Sequence, residues 1–520
     1  MRLATTLARA QLGLKAPEVT VEAHVAGGLP QFTIIGLIET AVRESRDRVR
    51  AAIQSSGLEF PDGRITVNLA PADLPKAGSS FDLAIAVAIL VASGQVRAGP
   101  SHGVEFLGEL AFSGALRRVP GLLPALLKAR DAGHLAIVPG AGATEAGLLG
   151  GDRIRLAGSL LDVVQFLNGS APLPPPARVS PPVPAADPND LADVRGQFAA
   201  KRALEVAAAG GHHLLLVGPP GTGKTMLARR LPGLLPDLTE TEALESAAIQ
   251  SLAGTTLEFR RRPFRAPHHT ASAAALVGGG GNPRPGEISL AHRGVLFLDE
   301  LPEFSRPVLE ALREPLGTGQ ITIARSRRTV EYPAEFQLVA AMNPCPCGYA
   351  GDREQACRCT PDQVRRYQMK VSGPLLDRVD LVVSVHRAGV RPTGSDAAES
   401  SATVRERVAG AAARQWRRGG MNARLDAQGL RVHCTLEPVG QTLLENASAR
   451  FFLSARAQDA IRRVARTLAD LEAADAIDSR HLAEAISLRA ERQWNSGSPA
   501  RRKSGELAPA AKGPGDRAEG

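Results

Sequence analysis

Residues 218–225 read Gly-Pro-Pro-Gly-Thr-Gly-Lys-Thr and follow directly on the apolar run Leu214-Leu215-Leu216-Val217. Strand, glycine-rich turn and helix in that order constrain the fold more than any other feature of the chain. A short strand apolar on both faces belongs inside a parallel sheet with helices on either side. The loop formed by Gly218, Pro219, Pro220, Gly221, Thr222 and Gly223 can curl so that its free N–H groups point inward at an anion. Lys224 adds a point charge for β- and γ-phosphate oxygens, Thr225 adds a hydroxyl for Mg²⁺, and the helix that follows turns its N-terminus toward the same place. The expected ligand is a nucleoside triphosphate, ATP, with Mg²⁺.

Other parts of such a site are expected at the ends of neighbouring strands. Val295-Leu296-Phe297-Leu298-Asp299-Glu300 is a second buried run ending in two acids. Asp299 is expected to hold the Mg²⁺ water shell and Glu300 to polarise the attacking water. A third run, Phe336 to Met342, ends in Asn343, whose amide could orient that water near the γ-phosphate.

These elements together resemble the AAA+ ATPases. The stretches Arg265-Ala-Pro-His-His-Thr-Ala-Ser272, Gly286-Glu-Ile-Ser-Leu-Ala-His-Arg-Gly294, Asn343-Pro-Cys-Pro-Cys-Gly348 and Ser372-Gly-Pro-Leu-Leu-Asp-Arg-Val-Asp380 resemble the magnesium-chelatase-related branch known as YifB or ComM. The likeness runs from about residue 3 to about residue 492. It implies an ATP-driven DNA motor of helicase or branch-migration type, acting in DNA uptake and recombination. A homo-oligomeric ring, expected to be a hexamer, and DNA as partner go with it. A magnesium-chelatase-like motor or a remodeller of another substrate is the alternative.

With 520 residues the chain exceeds one hydrophobic core, and several domains are expected. The clearest boundary is the proline-rich stretch 171–188, which can build neither helix nor sheet ladder. It separates an N-terminal α+β domain (1–170) from a central P-loop ATPase domain with a parallel sheet (189–388). A helical lid (389–495) and a disordered tail (496–520) follow, so the fold class is α/β. No charge-free apolar run is long enough to span a bilayer, and the N-terminus lacks an apolar leader, which predicts a cytoplasmic protein without membrane contact. The net charge of +9 and the pI near 9.7 bias the surface weakly toward a polyanion.

Five cysteines in so long a chain rule out a disulfide scaffold. Four of them crowd into fifteen residues as Cys345-Pro-Cys347 and Cys357-Arg-Cys359, which suggests four thiolates on one Zn²⁺, with free thiols packed in a loop as the other reading. Cys434 stands alone and reads as a small buried hydrophobe.

In the N-terminal domain, Pro75-Lys-Ala-Gly-Ser-Ser80, Gly108 to Gly114 and Val119 to Ala125 resemble the Lon-protease domain. The resemblance puts Ser80 at the nucleophile but Leu123 at the general base, and a serine without a base is a poor nucleophile. A Lon-like fold without proteolysis is therefore expected. In the ATPase, Ala275 to Gly286 reads as a glycine-rich loop interrupting a helix, and residues 320–332 as a β-hairpin with Arg325, Arg327 and Arg328 around its tip. By resemblance to helicases of the MCM type, these arginines would face DNA phosphates in a ring pore; a solvated basic turn is the plain alternative. Arg378 matches the position of an arginine finger reaching a neighbouring subunit, or pairs with Asp377 or Asp380. On the lid, Arg456 matches the nucleotide-sensing arginine, with Arg463 and Arg466 as further candidates.

Overall fold

A computed structural model describes residues 3–36, 40–76, 78–97, 99, 103–178, 189–280, 283–325, 328–352, 354–387 and 399–490. The N-terminal domain contains strands β1 (Leu3–Arg9), β2 (Glu18–Ala26), β3 (Gln31–Ile35), β4 (Arg64–Ala70) and β5 (Val104–Phe106), a small hairpin β6 (Glu109–Leu110) and β7 (Leu116–Arg117), then β8 (Leu135–Pro139) and β9 (Ile154–Ala157). Seven of these form one mixed sheet in the order β3-β4-β2-β1-β5-β8-β9. Alternation sets its faces: β2 and β4 bury every second residue, Val19, Val21, Ala23 and Val25 against Ile65, Val67 and Leu69. Helix Asp82–Ala92 is buried along its whole length and packs on β1 and β2. Its one charge, Asp82, accepts two bonds from the Arg48 guanidinium at 2.7 and 3.1 Å, the pairing a buried carboxylate needs.

The central domain adds β10 (Leu214–Val217), β11 (Phe264–Arg265), β12 (Gly278–Gly279), β13 (Arg284–Pro285), β14 (Val295–Leu298), β15 (Gln320–Arg325), β16 (Arg328–Pro333), β17 (Gln337–Met342) and β18 (Leu381–Ser384). Five of them make a parallel sheet in the order β11-β14-β17-β10-β18. β10, β14 and β17 are buried at every position, as unbroken apolar strands covered by helices must be. Helices from Ser401 to Ala490 pack on the sheet's outer helix Phe198–Gly210 through Val404, Val408, Ile461, Val464 and Leu468, in the same core as Leu214 and Leu216.

One expectation is corrected. Ala275 to Val277 is not loop: it closes a short helix, Ala273–Val277, capped by the Ser272 hydroxyl, and only then do β12 and β13 pair as a tiny hairpin. Three alanines behind an N-capping serine outweigh the glycines that follow.

The N-terminal domain is joined to the central domain by side-chain packing. Helix Leu122–Asp131 lies on helix Glu240–Ala253, burying Leu123 with Leu244, Ala247 and Ala248. Ser251 anchors the contact, its carbonyl accepting from Gly121 N at 3.2 Å and its hydroxyl from Leu123 N at 3.3 Å. Among the described residues no helix is long and apolar enough to cross a membrane.

Candidate active site

The phosphate loop leaves β10 at Val217. Gly218 N donates to Met342 O at 3.1 Å, tying the loop to β17. A side chain at Gly218 would place Cβ 2.1 Å from the Val385 carbonyl, so only glycine fits. Lys224 is nearly buried and donates to Gly218 O (2.7 Å), Pro219 O (2.9 Å) and Asn343 Oδ1 (3.2 Å). Burial lowers its pKa, while Asp299 and Glu300 nearby pull it back up.

β17 lies between β10 and β14, and this order assembles the remaining groups. Asn343 at the end of β17 meets Lys224, and the acids at the end of β14 stand on its other side. Thr225 Oγ1 donates to Asp299 Oδ2 at 2.6 Å, and Asp299 Oδ1 accepts from Glu300 N at 2.9 Å. A hydroxyl and a carboxylate converging next to a lysine form an oxygen donor set that fits Mg²⁺, which keeps several waters and takes the rest from protein and phosphates. Bound there, Mg²⁺ would neutralise charge on the transferring phosphate. Thr225 and Asp299 are the residues that would hold it.

Glu300 adopts a left-handed backbone, φ +53°, unusual for a residue with a side chain. Its Oε2 lies 3.2 Å from His269 Nδ1, and the His269 ring packs against His268 with centroids 4.1 Å apart. His269 was not singled out by sequence reasoning. The one available signal was its place in the Arg265–Ser272 stretch.

Arg378 stands just before β18, whereas the phosphate loop stands just after β10. The strands run parallel, Leu214 beside Leu381 and Val217 beside Ser384. Arg378 and Lys224 are thus at opposite ends of the sheet, separated by roughly 10 Å of strand and the turns beyond it. Arg378 Nη1 donates to Pro374 O at 2.9 Å, and its buried Nε has no hydrogen-bond partner. Burial and then the neighbouring Arg456 lower its pKa.

Arg456 therefore sits with Arg378 and away from its own phosphate loop. Both line a cleft of about 400 Å³ with Gly317, Asp377 and Arg463. Arg456 is exposed, whereas the two further candidates hold backbone: Arg463 donates to Leu425 O at 3.0 and 2.7 Å, and Arg466 to Asp475 O at 2.7 Å and Ala474 O at 2.5 Å.

The hairpin β15–β16 pairs Arg325 with Arg328 at its last rung. Arg327 lies outside the described residues, as do the side chains of Arg325 and Arg328. At the hairpin base Ile321, Ile323, Val330 and Tyr332 are buried, and Tyr332 donates to Pro283 O at 2.7 Å, joining the hairpin to the β12–β13 segment. Gly13 of the N-terminal domain packs on Val330 and Tyr332.

The cysteines converge. Cys345, Cys347, Cys357 and Cys359 offer sulfurs all within 4.8 Å of one another, with Cys345 fully buried. Backbone N–H groups of Arg358 and Tyr349 pull the Cys347 thiol down to about 6. Cys434 is buried, its thiol pushed up to about 11 by that burial.

In the N-terminal domain Ser80 lines a small cavity with Gln11, Val119, Leu122 and Leu252, the last supplied by the ATPase. Leu123 is fully buried under that helix, and the buried Lys76 donates to Pro71 O. No proton acceptor is placed beside Ser80 by helix Leu122–Asp131.

A parallel sheet carrying a phosphate loop, with Asn343 on the strand between Lys224 and the Asp299–Glu300 pair, defines a P-loop ATPase of the AAA+ class. The sequence matches the family described as magnesium chelatase, subunit ChlI, over residues 190–392, with the subunit ChlI and ChlI C-terminal families matching residues 21–141 and 398–489. It is 50% identical to uncharacterized protein YifB of Salmonella typhimurium over 497 residues, covering 94% of this chain and 97% of that protein. It is 49% identical over 502 residues to competence protein ComM of Haemophilus influenzae, covering 94% and 98%. A magnesium-chelatase 67 kDa subunit of Heliobacterium mobile is 28% identical over 193 residues, 31% of this chain and 29% of that one. The chain belongs to the YifB/ComM family of magnesium-chelatase-like AAA+ proteins.

Proposed function

We propose that the protein is an ATP-hydrolysing ring, a hexamer, that moves on single-stranded or branched DNA as a helicase or branch-migration motor in DNA uptake and recombination. One observation carries the ring: Arg378 and Arg456 share a cleft at the end of the sheet opposite Lys224. Neither can serve its own nucleotide, so each is assigned to the phosphates of the next subunit, Arg378 as finger and Arg456 as sensor. Within one pocket Lys224 and Thr225 bind phosphates and Mg²⁺, Asp299 supports the metal waters, Glu300 polarises the attacking water and Asn343 orients it. The cofactors are ATP and Mg²⁺, with Zn²⁺ at the four cysteines.

DNA as substrate is supported by the near-identical span and close similarity to competence protein ComM, and by three arginines at the tip of the 320–333 hairpin. The buried hairpin base and the Tyr332–Pro283 bond join this hairpin to the β12–β13 segment, so both would face one pore. The N-terminal domain is read as a non-proteolytic Lon-like platform, because Leu123 is sealed in an interdomain contact. The likeness to a magnesium-chelatase subunit keeps a chelatase-like motor as the second reading. The deciding measurement is ATPase rate with and without single-stranded DNA at several salt concentrations. Stimulation that fades with salt is expected, and a rate indifferent to DNA at every salt concentration favours the second reading.

A further inference from the structure

The cysteine segment begins two residues after Asn343, and its sulfurs are drawn to a common centre. Sγ of Cys345 lies 3.4 Å from that of Cys347 and 3.7 Å from that of Cys357, and Cys347 and Cys357 are 3.5 Å apart. A tetrahedral zinc with Zn–S bonds of about 2.3 Å sets its sulfurs about 3.8 Å apart. No pair is bonded as a disulfide. A polynuclear iron–sulfur core would need its thiolates spread wider than the 4.8 Å that encloses all four.

The backbone is arranged for thiolates. Ala350 N donates to Cys345 Sγ at 3.3 Å and Cys359 N to Cys357 Sγ at 3.4 Å, the outer-shell bonds that orient ligands around a metal.

The loop also touches the nucleotide site. Gly348, at φ +88°, turns the chain between the two cysteine pairs, and its N donates to Cys345 O at 3.0 Å. A Cβ there would fall 2.7 Å from Pro220 Cδ in the phosphate loop and 3.9 Å from Asn343 Cγ. The chain on the other side is held as well, since Gln368 Nε2 donates to Pro344 O at 3.1 Å.

We infer that Cys345, Cys347, Cys357 and Cys359 bind one Zn²⁺ and that this ion is the fixed point from which the Asn343 amide is held against Lys224 and the phosphate loop. The metal rests on the sulfur geometry alone; its effect on turnover rests on the ATPase site proposed above. Zinc does no chemistry here. Four short-range ligands replace the hydrophobic core that a segment of fifteen residues is too small to build. Asn343 is thereby a positioned group and not the end of a loose loop. A misplacement on the order of 1 Å at such a group costs about 10²-fold in rate.

The test uses the full chain, purified without added metal. Elemental analysis should give about one zinc per chain, and thiol titration of the native protein should find the four cysteines protected until a strong chelator is added. Cys347→Ser should lose the zinc, keep ATP binding within a few-fold and lose tenfold or more in turnover. Because that variant can misfold, the intact protein is also stripped with the chelator, freed of it and reloaded with Zn²⁺ alone, with every sample assayed in the same excess of Mg²⁺ and ATP, and turnover should fall on stripping and return on reloading. Metal-free protein with four titratable thiols, or iron in place of zinc, overturns the site. Unchanged turnover in stripped protein overturns the positioning role. Zinc-loaded protein that hydrolyses no ATP would overturn the ATPase reading instead and leave the metal site standing.

Discussion

His269 Nδ1 lies 3.2 Å from Glu300 Oε2, so the carboxylate assigned to the attacking water is tied to an imidazole on the segment that leads into β12 and β13. The contact lies on the β11 side of the site, because His269 follows β11 in the chain. The same segment runs on through helix Ala273–Val277 to a turn that contacts the β15–β16 hairpin, where Gly278 approaches Ile323. A pull on the hairpin therefore reaches His269 through this packing contact and the short stretch of chain between Gly278 and His269.

If this contact restrains Glu300, His269→Ala should raise the ATPase rate measured without DNA. A contact of this kind between partly exposed side chains is worth up to about 1 kcal/mol, which is about fivefold in rate. Stimulation by DNA should shrink by a similar factor. A fall in basal rate would mean that His269 orients Glu300 for catalysis.

Lys224→Ala should abolish nucleotide binding, because the ammonium is bonded into the phosphate loop through Gly218 O and Pro219 O. Glu300→Gln should bind ATP normally and lose on the order of 10²–10⁴ in turnover, the usual worth of a general base. Equilibrium binding of a fluorescent ATP analogue separates the two. Equal loss of binding in both variants would refute the assignment.

Arg378→Ala should reduce turnover by roughly 10³ while leaving ATP affinity much less affected. Mixing Arg378→Ala subunits with Lys224→Ala subunits should restore part of the activity, because an intact pocket then meets an intact arginine at some interfaces. Mixtures that assemble as rings and remain inactive would place Arg378 in a structural role.

For the hairpin, replacing Arg325, Arg327 or Arg328 by Ala should weaken DNA binding alike across sequences. Each should flatten the slope of log affinity against log salt by roughly 0.7 for single-stranded DNA. Basal ATPase should survive. A triple variant with unchanged affinity and slope would remove the hairpin from the DNA path.

By itself the sequence determined what is written in contiguous residues. The phosphate loop, the acidic strand end, the β15–β16 hairpin and the paired cysteines each depend on neighbours in the chain, and the apolar runs Leu214–Val217 and Val295–Leu298 were legible as buried strands because they are unbroken. β1 was not legible: its Leu-Ala-Thr-Thr-Leu-Ala-Arg alternates small and polar residues and becomes a strand through pairing with β2. β5, at three residues, is too short to carry a period. β11 and β18 sit at the sheet edges and are defined by their neighbours. What only the tertiary structure decided is which distant residues share a space. It set Arg456 beside Arg378 at the far end of the sheet, sealed Leu123 under an ATPase helix, brought His269 to Glu300 and pressed Gly348 on Pro220. The physical reason is common to all four: strand order and helix packing set these distances, and both arise from burying apolar surface contributed by segments far apart in the chain.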